Sequence, residues 1–298
     1  MEKIVTVIIP SYKRAHLLSK TLPSYLQEGV KELILVDDCS PDNTAEVVRN
    51  LQKLYPQIKY IRQPQNMKQP SANNRGLDEV TTEWVYFGDD DSILYPDSIK
   101  TLYNTCVQYN ADICGATAYY MNPGDEKLTM EEYVKKARRY VENPQRILDI
   151  ENLKAHFDLS YKEPIEVPFC HACLLMKSQL AQSVKFDPLY LGNAYREETD
   201  FIVRCAAKGA KVMYNSNAAQ INLPTTIAVG GCRDGSSWQY KKYVIVNTWR
   251  FLQKNYSFLK RKYHLSKSIY RMQWDCIYYE AKRTIKYYYR LYFRKSKK

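Results

Sequence analysis

Between Ile4 and Phe87, β-branched and apolar runs alternate with segments of helical spacing, and this alternation restricts the chain more than any other feature. Ile4 to Ile9, Glu32 to Val36, Ile58 to Arg62 and Glu83 to Phe87 read as strands, the first two suited to burial on both faces. Arg14 to Gln27 carries Leu17, Leu18, Leu22 and Leu26 at helical spacing. Thr44 to Leu54 follows a Ser40 to Thr44 turn that can cap a helix, and Ser71 to Glu79 is a third helical stretch. Strand and helix in alternation require crossover connections, which give parallel βαβ units in a doubly wound sheet. Such sheets bind ligands outside the carboxyl ends of their strands. Three loops leave those ends: PSYKR (10–14), DDCSPD (37–42) and GDDDS (88–92). One basic and two acidic loops meeting at one edge suit a phosphate-bearing ligand with a metal ion.

The acidic loops set the chemistry. Asp89, Asp90 and Asp91 follow an apolar run, where three adjacent like charges are costly unless something neutralises them. A diphosphate ester brings its own oxygens to Mg²⁺ or Mn²⁺, so the protein need add only one or two carboxylates. Asp91 is expected on the metal and Asp89 on the ribose or a metal-bound water, with Asp90 pointing away. The bland alternative is an acidic turn before a helix near Tyr95-Pro96-Asp97. In VDDCSPDNT, an aspartate directly after a buried strand can accept from a nucleobase N–H; a plain Asx-rich turn is the alternative. Pro10, Ser11 and Arg14 lie where a base or phosphate could be reached. Arg196-Glu197-Glu198-Thr199-Asp200 puts more acid in a helix's first turn than dipole compensation needs, and one carboxylate there can serve as a general base.

IIPSYKR, VDDCSPDNT, NMKQPSANNRG, FGDDDSILYPDSI and YREETDFIVRC, in this order over roughly residues 3–205, resemble the motif series of family 2 glycosyltransferases of the GT-A fold. The resemblance implies an α/β fold with a doubly wound mixed sheet flanked by helices. It implies an inverting, metal-dependent transferase that uses a nucleotide-sugar, usually a UDP-sugar, with Mn²⁺ or Mg²⁺. By position, Asp37 would contact the base with Pro10, Ser11 and Arg14 nearby. Asp89 and Asp91 would form the DxD pair, and Glu198 would be the general base, with Glu197 beside it holding the acceptor or sharing the role. The third motif departs from the family pattern: Lys68 and Asn73 stand where glycine and arginine are frequent, leaving Arg75 as the diphosphate contact. A GGCRDG loop (230–235) would close over the donor and bring Arg233 to the diphosphate.

The reading divides the chain into a nucleotide-sugar half (1–115), an acceptor half of the same domain (116–235) and a helical extension (236–298). In the acceptor half, MEEYVKKARRYVENP reads as a charged surface helix, Glu166 to Met176 as one strand, Tyr195 to Lys208 as a helix and Lys211 to Tyr214 as a strand. Cys170, His171 and Cys173 are expected to be core residues on that strand rather than a metal site, because no second pair completes four ligands. The scattered cysteines suit a reducing compartment.

The formal charge of +12 is concentrated at one end. From Trp238 to Lys298 there are 17 Lys or Arg, two acids and 17 aromatics. At 100° per residue Trp274, Ile277, Ala281, Ile285, Tyr288 and Tyr292 share one side, opposite Lys282, Arg283, Lys286, Arg290 and Arg294. An anionic membrane surface is the expected partner of 266–298, so that a lipid-linked or glycan acceptor would be met at the inner face of the plasma membrane. Packing on the catalytic domain or oligomerisation through these helices are the alternatives, and no nucleic-acid partner is expected. No run of 18 apolar residues is present and the N-terminus lacks a signal-peptide pattern, so a cytoplasmic, peripheral location is expected. Two other functions compete: a nucleotidyltransferase, which would want a glycine-rich loop where PSYKR has none, and a non-catalytic nucleotide or carbohydrate binder on the same fold.

Overall fold

The structure, a computed structural model, describes residues 1–190, 192–231 and 237–295. Its first half follows the alternation required by the sequence: β1 (Val5–Ser11), α1 (Ala15–Thr21), β2 (Val30–Asp37), α2 (Thr44–Leu54), β3 (Ile58–Arg62), α3 (Lys68–Leu77) and β4 (Trp84–Phe87). A 3₁₀ turn at Leu22–Tyr25 extends α1, with Pro23 near its start. The strands β1, β2, β3 and β4 are parallel, β1 pairing with both β2 and β4. Then come β5 (Ser92–Leu94), α4 (Ser98–Tyr109), β6 (Ile113–Tyr120), α5 (Met130–Ala137), β7 (Ile165–Glu166), β8 (Leu174–Lys177), α6 (Ser178–Val184), α7 (Glu197–Ala207), β9 (Val212–Asn222), α8 (Ser237–Tyr263) and α9 (Ile269–Lys295).

Among the described residues the main sheet runs β7-β9-β6-β8-β4-β1-β2-β3, with β5 added on β9. Antiparallel β8 sits between β4 and β6 and makes the sheet mixed. Both faces are covered, as the apolar runs require. Ile8, Ile34 and Val85 face one cluster and Val7, Ile9, Leu33 and Tyr86 the other. In the first cluster Phe201 of α7 stacks on Phe186 at 4.1 Å and meets Phe87 of β4 edge-on at 5.9 Å.

Several expectations for the second half fail for identifiable reasons. The single strand expected at Glu166 to Met176 is two short ones, on different neighbours. Val167 to Cys173 leaves the sheet, and Pro168 within it has no N–H for a ladder. The helix expected over MEEYVKKARRYVENP begins with a Thr129–Glu132 capping box but stops at Ala137. Arg139–Tyr140 pairs instead with Leu159–Ser160, and Pro144 opens a 3₁₀ turn. The strand expected at Lys211 to Tyr214 continues for 11 residues, to Asn222.

No helix among the described residues is long and apolar enough to cross a membrane. The two C-terminal helices form a hairpin whose inner residues Phe251, Leu252, Leu259 and Met272 belong to the same core cluster as Phe201. The α9 face with the apolar spacing is not the one that packs inward, which goes against the alternative that it packs on the catalytic domain. Met272 and Glu280 are buried and Cys276 is half-buried, whereas Trp274, Ala281 and Ile285 point to solvent and Ile277 is half-buried. Met272 and Cys276 lie on the same side of the helix as Arg283, so α8 packs on the side that turns basic further along the helix. Tyr288, Arg290, Tyr292 and Arg294 have side chains outside the described residues.

Candidate active site

The three loops at the carboxyl edge of the parallel strands converge on a cleft of about 950 Å³. Pro10 to Arg14, Asp38 and Asp89 to Asp91 line one side; Gly192 to Thr199, at and before the start of α7, line another. The cleft is also bordered by Lys68 and Gln69 of α3, Tyr120 of β6, Cys170 and His171, and Gln239, Tyr240 and Tyr243 of α8.

Gly88, between β4 and the aspartates, leaves room for the Tyr25 ring. A Cβ there would fall 2.6 Å from the Tyr25 ring. The Tyr25 hydroxyl lies 3.0 Å from the Asp89 carbonyl oxygen and accepts the Asp89 N–H at 3.2 Å. Gln220, near the end of β9, donates to Asp89 Oδ2 at 3.2 Å while its Oε1 accepts from Tyr86 at 3.1 Å. Arg14 Nη1 donates to Asp91 Oδ2 at 3.0 Å. Asp90 does not point away: it is buried, lines the cleft and feels the Arg14 guanidinium. Its place on the wall follows from the strand-one loop, whose Arg14 attracts it.

These carboxylates carry more charge than their surroundings neutralise. Burial, then the neighbouring charges of Asp91, Glu198 and Asp90, push Asp89 up to about 8. Burial also pushes Asp90 up to about 7, against the lowering pull of Arg14. That is the electrostatic condition of a site awaiting a cation.

The acids of α7 take three different roles. Arg196, in the left-handed region at φ 69°, precedes the helix, and no side chain closes the N-cap. Simple capping therefore does not account for the cluster. Asp200 is fully buried and turned from the cleft, accepting from Arg204 at 2.7 Å, Lys254 at 2.9 Å and Asn255 at 2.8 Å. Glu197 is 1% exposed, and neither carboxyl oxygen has a hydrogen-bond partner among the described residues. Burial, with Glu198 and Asp89 adding to it, holds its pKa well above the carboxylate range. Glu198 is half-buried on the cleft wall, accepts from Gln69 Nε2 at 3.4 Å and is also raised by burial.

Other residues singled out from the sequence fall elsewhere. Asp37 does not line the cleft; it accepts from the Ser40 N–H at 2.7 Å, Tyr60 at 2.6 Å and Arg62 at 2.7 Å. Its neighbour Asp38 does line it, and receives the backbone N–H groups of Met67 at 2.7 Å and Lys68 at 2.8 Å. Arg75 is off the cleft wall and pairs with Glu79 at 2.6 Å. It is seven residues past Lys68, about 10 Å further along the helix axis, so α3 offers its first turn instead. Arg233 lies outside the described residues. Gly230 and Gly231 pack on the strand-one loop, where a Cβ would meet the Lys13 carbonyl oxygen at 2.5 Å or Arg14 at 2.8 Å.

Residues missed by sequence reasoning include Tyr25, Gln220, Gln69 and Tyr120. Gln220 left one trace, an amide between the apolar Ala219 and Ile221 in NAAQINL. Cys170 and Cys173 are buried as expected, although on an irregular segment rather than a strand. Between them His171 bonds the Tyr120 hydroxyl at 2.8 Å and meets Cys173 Sγ at 3.4 Å. Burial pushes this imidazole down to about 4, so it is neutral at physiological pH.

Among the described residues no three His, Cys, Asp or Glu side chains converge as a protein-built metal site. The donor set fits a hard cation held by one or two carboxylates and completed by substrate oxygens, since Asp89 and Asp91 share the cleft and the crowded negative charge that holds a proton on Asp89 would favour a cation in its place.

Compared with known families, residues 6–179 match glycosyl transferase family 2. Over 115 residues the chain is 40% identical to a GalNAc(5)-diNAcBac-PP-undecaprenol beta-1,3-glucosyltransferase of Campylobacter jejuni, covering 37% of each chain. It is 29% identical over 195 residues to the succinoglycan biosynthesis protein ExoW of Rhizobium meliloti, covering 61% of this chain and 58% of the relative. It is 32% identical over 123 residues to glycosyltransferase GlyA of Streptococcus pneumoniae, covering 41% of this chain and 18% of the relative. The match thus spans well under two thirds of each relative. In three dimensions the chain resembles S. aureus TarS 1-349 in complex with UDP-GlcNAc: TM-score 0.59, 17% identity, 86% of this chain and 68% of that one. It also resembles the mannosyltransferase PcManGT of Pyrobaculum calidifontis in complex with GDP-Man and Mn²⁺: TM-score 0.57, 17% identity, 88% of this chain and 65% of that one. The fold is that of the GT-A glycosyltransferases.

Proposed function

Starting from a chain that belongs to glycosyl transferase family 2, we propose that it moves a sugar from a nucleotide-sugar, a UDP-sugar in our reading, to a hydroxyl of a glycan or lipid-linked acceptor, with inversion. One observation carries this reading: Asp89 and Asp91, from the end of β4, and Glu198, from the first turn of α7 more than a hundred residues later, line the same cleft. The C. jejuni relative named for an undecaprenol-linked acceptor and the UDP-GlcNAc and GDP-Man complexes support the choice of substrates.

Asp91 and Asp89 would hold Mn²⁺ or Mg²⁺ together with the donor's diphosphate oxygens; a bound divalent ion supplies Lewis-acid stabilisation of the leaving charge. The nucleoside end is assigned to Pro10, Ser11 and Tyr12, with Asp38 across from them. Asp37 supports that end from beneath, by fixing the turn after β2 through Ser40, Tyr60 and Arg62. Arg14 sits beside Asp91, where its charge opposes the negative charge that grows on the diphosphate. Arg233 keeps the diphosphate role assigned from its sequence position.

Glu198 is the general base. It faces the cleft, and its raised pKa makes it a better proton acceptor than an exposed glutamate. In the transfer step the acceptor oxygen forms a bond to the anomeric carbon, and the bond from that carbon to the diphosphate oxygen breaks. The hydroxyl proton goes to a Glu198 oxygen and the electron pair leaves with the nucleoside diphosphate. Glu197, whose protonated form burial favours, is assigned to hydrogen bonding with the acceptor rather than to proton removal. A screen of UDP-, GDP- and CMP-sugars by thermal shift, with and without Mn²⁺, tests the donor. Stabilisation by a UDP-sugar that needs the cation is expected; stabilisation by none of them would overturn the reading.

A further inference from the structure

We propose that the outer face of α9 docks flat on an anionic membrane surface and holds the cleft against it. Trp274, Tyr278, Ala281 and Ile285 follow an i, i+4, i+7, i+11 spacing that puts them along one line of the helix. The line is solvent-facing: Trp274 is 60% exposed, Tyr278 60% and Ile285 70%. A continuous aromatic and aliphatic stripe on solvent is costly to leave uncovered, and such stripes mark interaction sites. Exposed Arg271, Lys282 and Lys286 lie beside it.

Charge selects the occupant. Residues 238–298 hold 17 basic and two acidic groups, and neither acid is free to meet a cation. Asp275 is paired with Lys267 at 2.7 Å and Arg271 at 3.0 Å, and Glu280 is buried beside Arg283 at 3.0 Å. A second copy packed on this face would bring like-charged flanks together with no carboxylate to offset them. Nucleic acid would meet its basic contacts at the centre of the footprint, but here the centre is apolar and the cations run along one edge of it. An interfacial helix is built in this way, with its apolar line about 5–10 Å into the acyl boundary and lysines at the headgroups.

The position of the face is fixed relative to the cleft. Lys241 donates to Thr284 at 2.8 Å and Gln273 to the Ile245 carbonyl oxygen at 3.2 Å, tying α9 to the start of α8. That start lines the cleft through Gln239, Tyr240 and Tyr243, the Tyr243 ring filling the space that a Cβ on Gly192 would need. A helix lying on a membrane would therefore hold the acceptor side of the cleft at a set distance from lipid-borne substrates. That a membrane-borne acceptor is used rests on the proposed transfer; the docking itself does not.

The test is co-sedimentation of the full chain with phosphatidylcholine vesicles, with and without phosphatidylglycerol. Wild type is expected on the anionic vesicles and to be released by high salt. Trp274→Glu with Ile285→Glu should reduce binding at least tenfold, with an unchanged circular dichroism spectrum and melt because both positions are exposed. Lys282→Glu with Lys286→Glu should weaken binding to anionic vesicles by about fivefold or more per lysine while leaving the weak zwitterionic binding unchanged. Glu198→Gln should bind as wild type does, which separates failure of the docking from failure of the transfer. The proposal is overturned by equal partitioning of all variants. It is also overturned if wild type is a dimer that Trp274→Glu with Ile285→Glu dissociates, or if it binds an oligonucleotide and not vesicles.

Discussion

Arg14 of the strand-one loop and Asp91 of the strand-four loop form an ion pair of 3.0 Å with side chains only 4% and 11% exposed. The pair joins the two loops across 77 positions of sequence. It also places the loop's cation beside the carboxylate assigned to the metal, so donor binding and the stability of this edge are linked.

Arg14→Met removes the guanidinium from a nearly buried carboxylate, which costs about 3–5 kcal/mol for pairs of this kind. Melting curves without cation should show that loss. Mn²⁺ with UDP should raise the melting temperature of this variant more than that of wild type, because the ion takes over part of the neutralisation.

The aspartates set a pH dependence. Asp89 at about 8 and Asp90 at about 7 exceed the ordinary carboxylate value that they regain on unfolding. Between pH 4 and 8 the folded chain thus holds protons that the unfolded chain has released, and raising pH strips them at a cost in stability. The cation-free melting temperature is therefore expected to fall from pH 5 towards pH 8. Stabilisation by Mn²⁺ should grow over the same range, since the ion binds the deprotonated forms.

Glu197 and Glu198 are adjacent and should respond oppositely to the same substitution. Glu198→Gln removes the base and should lower kcat by about 10²–10⁴ with little change in donor affinity. Burial favours the protonated form of Glu197, so Glu197→Gln, which keeps a neutral donor-acceptor group there, should stay within about tenfold of wild type in kcat. In wild type, kcat should rise with pH through a pKa above the usual glutamate range, and Glu198→Gln should abolish that rise.

Asp200 ties the catalytic helix to the C-terminal hairpin through Arg204, Lys254 and Asn255. Asp200→Ala leaves those donors facing an empty carboxylate site and should cost about 3–5 kcal/mol, read by urea denaturation. Lys254→Ala keeps Asp200 bonded to Arg204 and Asn255 and should cost less.

The parallel half of the fold was legible because it obeys a local rule: β-branched runs bounded by turn residues form strands wherever crossovers can bury them. Ile58–Arg62 and Thr44–Leu54 match to the residue. The second half was less legible because tertiary pairing overrides propensity there. Arg139–Tyr140 leaves a helical pattern to pair with Leu159–Ser160, and β8 forms only because β4 and β6 leave a gap for it. In the site, the loops carrying Ser11, Arg14, Asp89, Asp91, Glu197 and Glu198 could be named from position at strand and helix ends. Asp37 and Arg75 could not be excluded that way, since exclusion depends on Tyr60, Arg62 and Glu79 taking up their charges. The supports Tyr25 and Gln220 come from distant segments and have no local signature. The tail's composition was legible, but which α9 face turns inward was decided by α8.

The central claim is that Asp91 and Glu198 act in one cleft on one donor. Nucleoside diphosphate release from a UDP-sugar, measured with and without Mn²⁺ for wild type, Asp91→Ala and Glu198→Gln, tests it most directly. The account predicts release that requires the cation in wild type, is lost in Asp91→Ala, and is lost in Glu198→Gln although that variant still binds UDP with Mn²⁺. Cation-dependent release that survives either substitution at the wild-type rate would contradict it.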